Sequence, residues 1–184
     1  LFMNHYLREQ ILERGLDRPA GLGRIYRIVH ESRKPDQVTD LSTAGPANLV
    51  ATLNHPNGWW RDTAQRLLVE RGGKTAINPL RALAIRGEHP LGRLHALWTL
   101  AGIGAVDLET VLAAMQASDP KVRAAAVRVG ESQAGNPAYL ASLRKLSNDS
   151  VPGVQLQALL SLGEVREDKQ SLNSMVEILL RNPG

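Results

Sequence analysis

Several kinds of residue that particular chemistries require are missing or scarce in this chain of 184 residues. There is no cysteine, which excludes disulfides, thiolate metal ligands and the attachment of c-type haem within the chain. Aromatic residues make up only 4% of the sequence, and no apolar run approaches the length of about 18 residues that a membrane span needs. No two of the five histidines stand three or four residues apart, so the sequence offers no helical metal pair. We therefore expect no metal, no cofactor and no membrane span in this chain.

The sequence also lacks the fingerprints of common catalytic sites. It contains no G-x-S-x-G motif, no P-loop and no dinucleotide-binding motif. Residues 21–23 read Gly-Leu-Gly, but an alternating stretch follows them where phosphate binding needs a helix. The acidic cluster of Glu164, Glu167 and Asp168 has the pattern of a solvated loop. We expect that this chain is not an enzyme.

Prolines recur along the chain at nearly constant intervals. They are Pro56, Pro90, Pro120, Pro152 and Pro183. A period of roughly 30 residues indicates an array of two-helix units stacked side by side. An apolar helical stretch precedes each proline, and in residues 108–115 it has the i, i+3, i+4, i+7 spacing of one helical face. The sequence predicts an all-α superhelix of four two-helix repeats, with a further terminal helix at residues 172–179.

The predicted second helix of each unit carries an alanine at its centre. These alanines are Ala64, Ala96, Ala126 and Ala158. A small residue at this position predicts a close approach between two helices. Three units also have an arginine three residues before the alanine, namely Arg61, Arg93 and Arg123, whereas the fourth has Gln155.

Residues 119–126, Asp-Pro-Lys-Val-Arg-Ala-Ala-Ala, resemble a HEAT repeat of the short bacterial type found in phycobilisome-lyase-like proteins. The resemblance extends from about residue 49 to residue 183. It implies a HEAT-like repeat domain at residues 49–184 and a role in protein–protein interaction. The fourth unit has lost the arginine, and only the third has an aspartate before its proline, so the resemblance does not predict a continuous ladder of Asp–Arg contacts.

The N-terminal segment, residues 1–48, does not follow the repeat pattern. Apolar and polar residues nearly alternate over residues 24–30, which predicts a strand. Nothing else in the sequence looks like a partner strand, and a lone strand would leave its backbone groups unpaired. We expect the partner strands in another part of a longer polypeptide, so that residues 1–48 form the tail of a preceding domain. The helix predicted at residues 172–179 likewise lacks its companion, so we expect the chain to be a segment cut at both ends.

A second resemblance concerns this N-terminal segment. Residues 6–11 and 22–29 resemble the closing stretch of a six-bladed propeller of the sugar-dehydrogenase type that binds pyrroloquinoline quinone (PQQ). Residues 57–68 and 93–100 are similar to the HEAT-like repeats that follow such propellers in secreted bacterial proteins, ahead of a cytochrome c domain. The resemblance implies a spacer in a periplasmic or secreted redox protein. Its PQQ and haem c sites would lie outside this chain, and the propeller and cytochrome c domains would be its partners. A stand-alone protein would instead be expected in the cytoplasm.

Seven residues make up the candidate interaction surface: Trp59, Trp60, Arg61, Arg93, His95, Trp98 and Arg123. Solenoids usually bind partners along one layer of helices, which favours a gripping role for these side chains. The other interpretation places Trp60 and Trp98 as large packing residues between repeats, and we favour packing for the tryptophans. Both interpretations remain open for His95, because its aligned positions follow no packing rule.

The formal net charge of +4 is concentrated in the first two repeats, where residues 49–104 carry seven basic and three acidic side chains. This excess motivates an alternative function, a nucleic-acid-binding solenoid similar to the HEAT-like DNA glycosylases. The interpretation that we favour is a solvated helix face together with arginines that bind carbonyl groups at turns. Repeats three and four lack a basic stripe. We therefore expect the partners to be proteins and not nucleic acid.

Overall fold

A computed structural model describes residues 4–17, 31–32 and 40–165 of the chain. The chain divides into two compact units, residues 1–39 and residues 40–184. In the first unit helix α1 (His5–Glu13) begins after Asn4, whose side chain accepts a hydrogen bond from the backbone N–H of Tyr6. The strand predicted at residues 24–30 and the helix predicted at residues 172–179 lie outside the described residues. The domain boundary at residues 48 and 49 stays a prediction.

Eight α-helices of the second unit form four consecutive pairs, and each first helix packs against the second helix that follows it. The pairs are α2 (Pro46–Thr52) with α3 (Gly58–Arg71), α4 (Ile77–Arg86) with α5 (Pro90–Gly102), α6 (Leu108–Ala114) with α7 (Pro120–Val129), and α8 (Pro137–Leu146) with α9 (Pro152–Gly163). Short 3-10 turns cover Lys74–Ala76 and Gly130–Gln133. All regular structure in the described residues is helical. The predicted all-α superhelix of HEAT-like two-helix repeats is confirmed.

The periodic prolines open the second helices of three repeats. Pro90, Pro120 and Pro152 are the first residues of α5, α7 and α9, where the missing N–H is not needed and the fixed φ suits a helix. In the first repeat the helix begins two residues after its proline, at Gly58, and the side chain of Asn57 caps it. Proline therefore marks the same turn in each repeat.

The helices form two layers. The second helices α3, α5, α7 and α9 pack on one another in order, and the first helices α2, α4, α6 and α8 do the same. All four central alanines are completely buried. Gly102 of α5 also allows close packing, since a Cβ atom there would lie 2.7 Å from Cγ2 of Val69 on α3. Gly102 thus permits the close contact of α5 with α3.

The core runs continuously through these layers and consists mainly of leucine, alanine and valine. Tyr139 is its largest fully buried side chain, and its hydroxyl donates a 2.8 Å hydrogen bond to the carbonyl of Val127. A Cβ atom on Gly130 would lie 2.5 Å from the Tyr139 ring, so glycine is needed to admit the tyrosine. Among the described helices, none is long and apolar enough to cross a membrane.

Enlarging a central alanine should disrupt the packing around its helix. We expect Ala126→Leu on α7 to lower the free energy of unfolding by about 1–3 kcal/mol, because the side chain is fully buried in a packed layer. Urea denaturation measures the change. Ala141→Leu, at an exposed position of α8, is the control and should change stability by less than about 0.5 kcal/mol. Equal effects of the two substitutions would contradict a steric requirement for alanine at this position.

Candidate interaction surface

His95 on α5 connects the first two repeats through hydrogen bonds to α3. Nε of Arg61 donates to Nε2 of the imidazole at 3.2 Å. Since arginine can only donate, Nε2 must be the acceptor and the ring proton lies on Nδ1. Nδ1 then donates to Oε1 of Gln65 at 2.7 Å. The neutral His95 ring is therefore fixed in one tautomer at the junction of the first two repeats.

The surroundings of His95 disfavour its protonated form. Burial lowers the pKa of His95 below its ordinary value, and the charge of Arg61 lowers the pKa further. The carboxylate of Asp62, with Oδ1 4.0 Å from Nε2, acts in the opposite direction and offsets only part of this effect. The net result is a histidine that contributes a polar contact without a charge.

The three periodic arginines bind backbone carbonyl groups. Nη1 of Arg61 donates to the carbonyls of His55 and Pro56 at 2.6 and 2.8 Å. Nε of Arg93 donates to the carbonyl of Ala84, near the end of α4, at 2.9 Å. Arg123 donates to two carbonyls of the turn before α7, those of residues 117 and 118, each at 2.9 Å. The interpretation that these arginines bind carbonyl groups at turns is confirmed for Arg61 and Arg123, whereas Arg93 binds a carbonyl within α4.

Arg123 also reaches across to the next repeat. Its Nε and Nη2 donate to the two carboxylate oxygens of Asp149 at 2.9 and 2.8 Å, and both side chains are largely buried. The hydrogen bonds from Arg123 hold the pKa of Asp149 below its ordinary value. Another ion pair joins Arg81 of α4 to Asp107, the residue that caps α6, at 2.6 Å. These pairs occupy different positions in their repeats and do not form a ladder.

The tryptophans differ in how far they are buried. Trp60 packs against the core and contacts two aromatic rings, that of His55 at 5.7 Å and that of Trp59 at 4.9 Å between centroids. The Trp59 ring lies on the surface and is 62% exposed. Trp98 remains 42% exposed, so packing between repeats does not account for its whole ring. Packing therefore explains Trp60 better than it explains Trp98.

One register of the second helices is exposed in every repeat. The residue two positions after each central alanine forms what we call the outer row: Arg66, Trp98, Arg128 and Leu160. Arg66 is 3.6 Å from Glu70 and Arg128 pairs with Glu131, yet both arginine side chains are more than half exposed. Trp98 is the one member of this row that the sequence indicated. Aligning the repeats on the alanine would have revealed the other three members.

The structure brings together only part of the predicted surface. Arg61 and His95 meet at the first junction and Trp59 lies against Trp60, whereas Arg123 belongs to the junction of the third and fourth repeats. A cleft of about 310 Å³ opens beside Arg61, between the proline turns of the first two repeats. Within the part of the chain that the structure describes, no three acidic or histidine side chains are placed to hold a metal ion. Of the seven predicted residues, Trp59 and Trp98 are the exposed ones.

Comparison with known proteins supports the repeat assignment. A family model described as HEAT repeats matches residues 108–184, a stretch that includes α6 to α9. A search of curated proteins found no similar sequence. The HEAT-like character of the first two repeats rests on the same helix pairs and the same buried alanines. HEAT repeats commonly mediate protein interactions, so the match indicates a protein-interaction solenoid.

Replacing Arg123 with lysine should weaken the junction of the third and fourth repeats. We expect Arg123→Lys to lower the free energy of unfolding by about 1–3 kcal/mol, because lysine cannot reproduce the paired bonds to Asp149 and leaves buried acceptors unpaired. Arg66→Lys is the control, since its exposed ion pair contributes little. Urea unfolding of both variants measures the difference. A loss no larger for Arg123 than for Arg66 would contradict this account.

The stability of the protein should decrease in mild acid because of His95. Its pKa is lowered in the folded state, so the unfolded chain binds a proton at His95 first as the pH falls through about 6.5. The free energy of unfolding should therefore fall below that pH, until His95 in the folded protein is protonated as well. His95→Gln should flatten this part of the profile, because glutamine keeps a polar side chain and does not titrate. Unchanged curvature in His95→Gln would show that another group controls the profile.

Proposed function

We propose that the helical array is a non-catalytic protein-interaction module that serves as a spacer within a larger periplasmic or secreted redox protein. The outer row is the observation that carries the first part of this proposal. It places Arg66, Trp98 and Arg128 at one register on three successive second helices, each of them exposed. Arginine and tryptophan are the residues most enriched at the energetic centres of protein interfaces. The row therefore suits a protein partner that lies across several repeats.

The way in which the repeats are joined supports the spacer role. The junctions combine buried alanines with specific polar contacts, such as His95 with Gln65 and Arg123 with Asp149. Contacts of this kind fix the orientation of each repeat on the next, as the separation of two domains at a set distance requires. The resemblance of residues 6–11 and 22–29 to a propeller supports a PQQ-dependent dehydrogenase domain on one side. A cytochrome c domain would be the partner on the other side, with PQQ and haem c outside this chain.

The spacer proposal predicts the size of the native polypeptide. We expect antibodies raised against this chain to isolate, from the periplasmic fraction of the source cells, a polypeptide much heavier than 20.1 kDa. Intact-mass spectrometry gives its size, and the absorbance of reduced haem shows whether cytochrome c accompanies it. A native product no heavier than this chain, and without haem, would overturn the spacer role and leave a stand-alone interaction module.

Binding through the outer row can be tested on the separate domains of that polypeptide. We expect Trp98→Ala to weaken binding between this chain and the separately produced cytochrome c domain by about tenfold or more, as for the central residues of other interfaces. Calorimetric titration measures the dissociation constants. Leu91→Ala is the matched control, because Leu91 is an exposed apolar residue of α5 outside the row. Equal loss in both variants, or no loss in either, would contradict a role for the row.

Nucleic-acid binding remains the second candidate because the first two repeats carry an excess of basic residues and two exposed tryptophans. Several arginines of these repeats point into the fold, which weighs against nucleic-acid binding. Arg61, Arg71 and Arg93 each donate to backbone carbonyls, so their guanidinium groups are engaged within the fold. A gel shift with a fluorescent DNA duplex at low and high salt distinguishes the two functions. A shift at low salt that disappears with added salt would favour this candidate, and no shift would remove it.

A further inference from the structure

The arginines of the first and third repeats occupy the same position but differ in one partner. Arg61 and Arg123 each stand three residues before the central alanine, and Nη1 of each donates to the carbonyls five and six residues earlier. Nε and Nη2 of Arg123 bind both carboxylate oxygens of Asp149. Nε of Arg61 instead donates to His95. Among the described residues, no acceptor forms a hydrogen bond with Nη2 of Arg61.

The second repeat has no carboxylate at the position of Asp149. That residue stands three positions before the proline of its repeat, and the corresponding residue before α5 is Gly87. A Cβ atom on Gly87 would lie 2.6 Å from the carbonyl oxygen of Leu83, so this position has no room for an acidic side chain. Asp62, which follows Arg61 in the sequence, is 77% exposed and forms no ion pair with it. Arg61 therefore keeps a donor that the third repeat uses for a carboxylate.

The cleft of about 310 Å³ beside Arg61 offers a further donor. His55 lines the cleft, and Nδ1 of its ring accepts a 3.1 Å hydrogen bond from the backbone N–H of Asn57. The neutral ring of His55 therefore carries its proton on Nε2. The prolines of both turns and the exposed Leu91 give the cleft apolar walls. Within the part of the chain that the structure describes, no acidic side chain lines it.

We propose that this cleft binds a carboxylate side chain from an acidic segment of a protein partner, as Arg123 binds Asp149. The donors available to the carboxylate are Nη2 of Arg61 and Nε2 of His55. Charge complementarity selects the occupant, because a guanidinium with an unused amino group in a cleft without acidic residues favours an anion. The apolar walls favour an acidic residue with apolar neighbours. This inference rests on the interaction role proposed above and adds a chemistry for the partner.

A pair of peptides tests the proposal. The probe is Ala-Leu-Glu-Leu-Ala with both ends capped, so that the glutamate carries its only charge, and the matched peptide has glutamine instead. We expect the full chain to bind the glutamate peptide about fivefold or more tightly, because only a carboxylate makes charge-assisted hydrogen bonds to Arg61. NMR titration measures both dissociation constants, and the backbone amide signals of Leu91 and Gly92 locate binding in the cleft. Equal dissociation constants, or no shift of these signals, would overturn the proposal.

Substitutions in the cleft locate the preference for glutamate. We expect Arg61→Gln to abolish the preference, but Arg61 also holds a turn and His95, so variants that keep the arginine are needed as well. His89→Glu places a carboxylate on the cleft wall and should abolish the preference by repulsion. His89→Gln has the same size without the charge and should retain it, and the exposed position of His89 lets both variants fold. A full preference in His89→Glu would overturn the assignment to this cleft.

A nucleic-acid phosphate is the rival occupant. We expect an oligonucleotide of about ten thymidines, added at the concentration of the glutamate peptide, to leave the peptide bound. Displacement of the peptide would assign the cleft to nucleic acid and overturn the proposal. None of these measurements involves the cytochrome c domain or the outer-row residue Trp98. Failure of the proposed function and failure of the carboxylate site are therefore distinguishable.

Discussion

The complete burial of an alanine at the centre of every second helix is the constraint on which the rest of this structure depends. The surroundings of each methyl group are closely packed, so a larger side chain would not fit without moving a neighbouring helix. Gly102 against Val69 shows the same condition at the contact of α5 with α3. The turns that join these closely packed helices contain carbonyl groups that the helices do not pair, and these groups need other donors.

The arginines supply those donors, so their positive charge is used within the fold although it counts toward the net charge of the chain. Arg61, Arg93 and Arg123 direct their guanidinium groups at carbonyls of turns and helix ends, and Arg123 also neutralises a buried carboxylate. Arg123 donates to four acceptors, two carbonyls and both oxygens of Asp149, which the three donors of a lysine could not all satisfy. The basic excess of the first two repeats is thus partly a structural requirement of the fold. Formal charge along the sequence is a poor guide to the charge available to a partner.

The sequence predicted the features that recur in every repeat, and it missed the side-chain contacts that occur at a single junction. Four helix pairs, their order and the buried alanines follow from the proline spacing, because every repeat meets the same steric condition. The contact of His95 with Gln65 occurs at one junction only, and it depends on the directions of two side chains on different helices. Asp149 likewise pairs with Arg123 although the corresponding positions of other repeats are not acidic. A register between helices that is set by packing cannot be read from spacing along the chain.

The difference between positions that recur and positions that vary also determines which residues can distinguish one partner from another. At the buried register all four repeats have alanine, so that position carries no information about a partner. At the outer row the side chain changes from Arg66 to Trp98, Arg128 and Leu160 while the backbone geometry repeats. A partner that crosses the row meets a fixed spacing with a variable chemistry, and it can therefore align in only one register. The stacking of the helices buries some positions and leaves others exposed. Selectivity in such an array arises from the exposed positions.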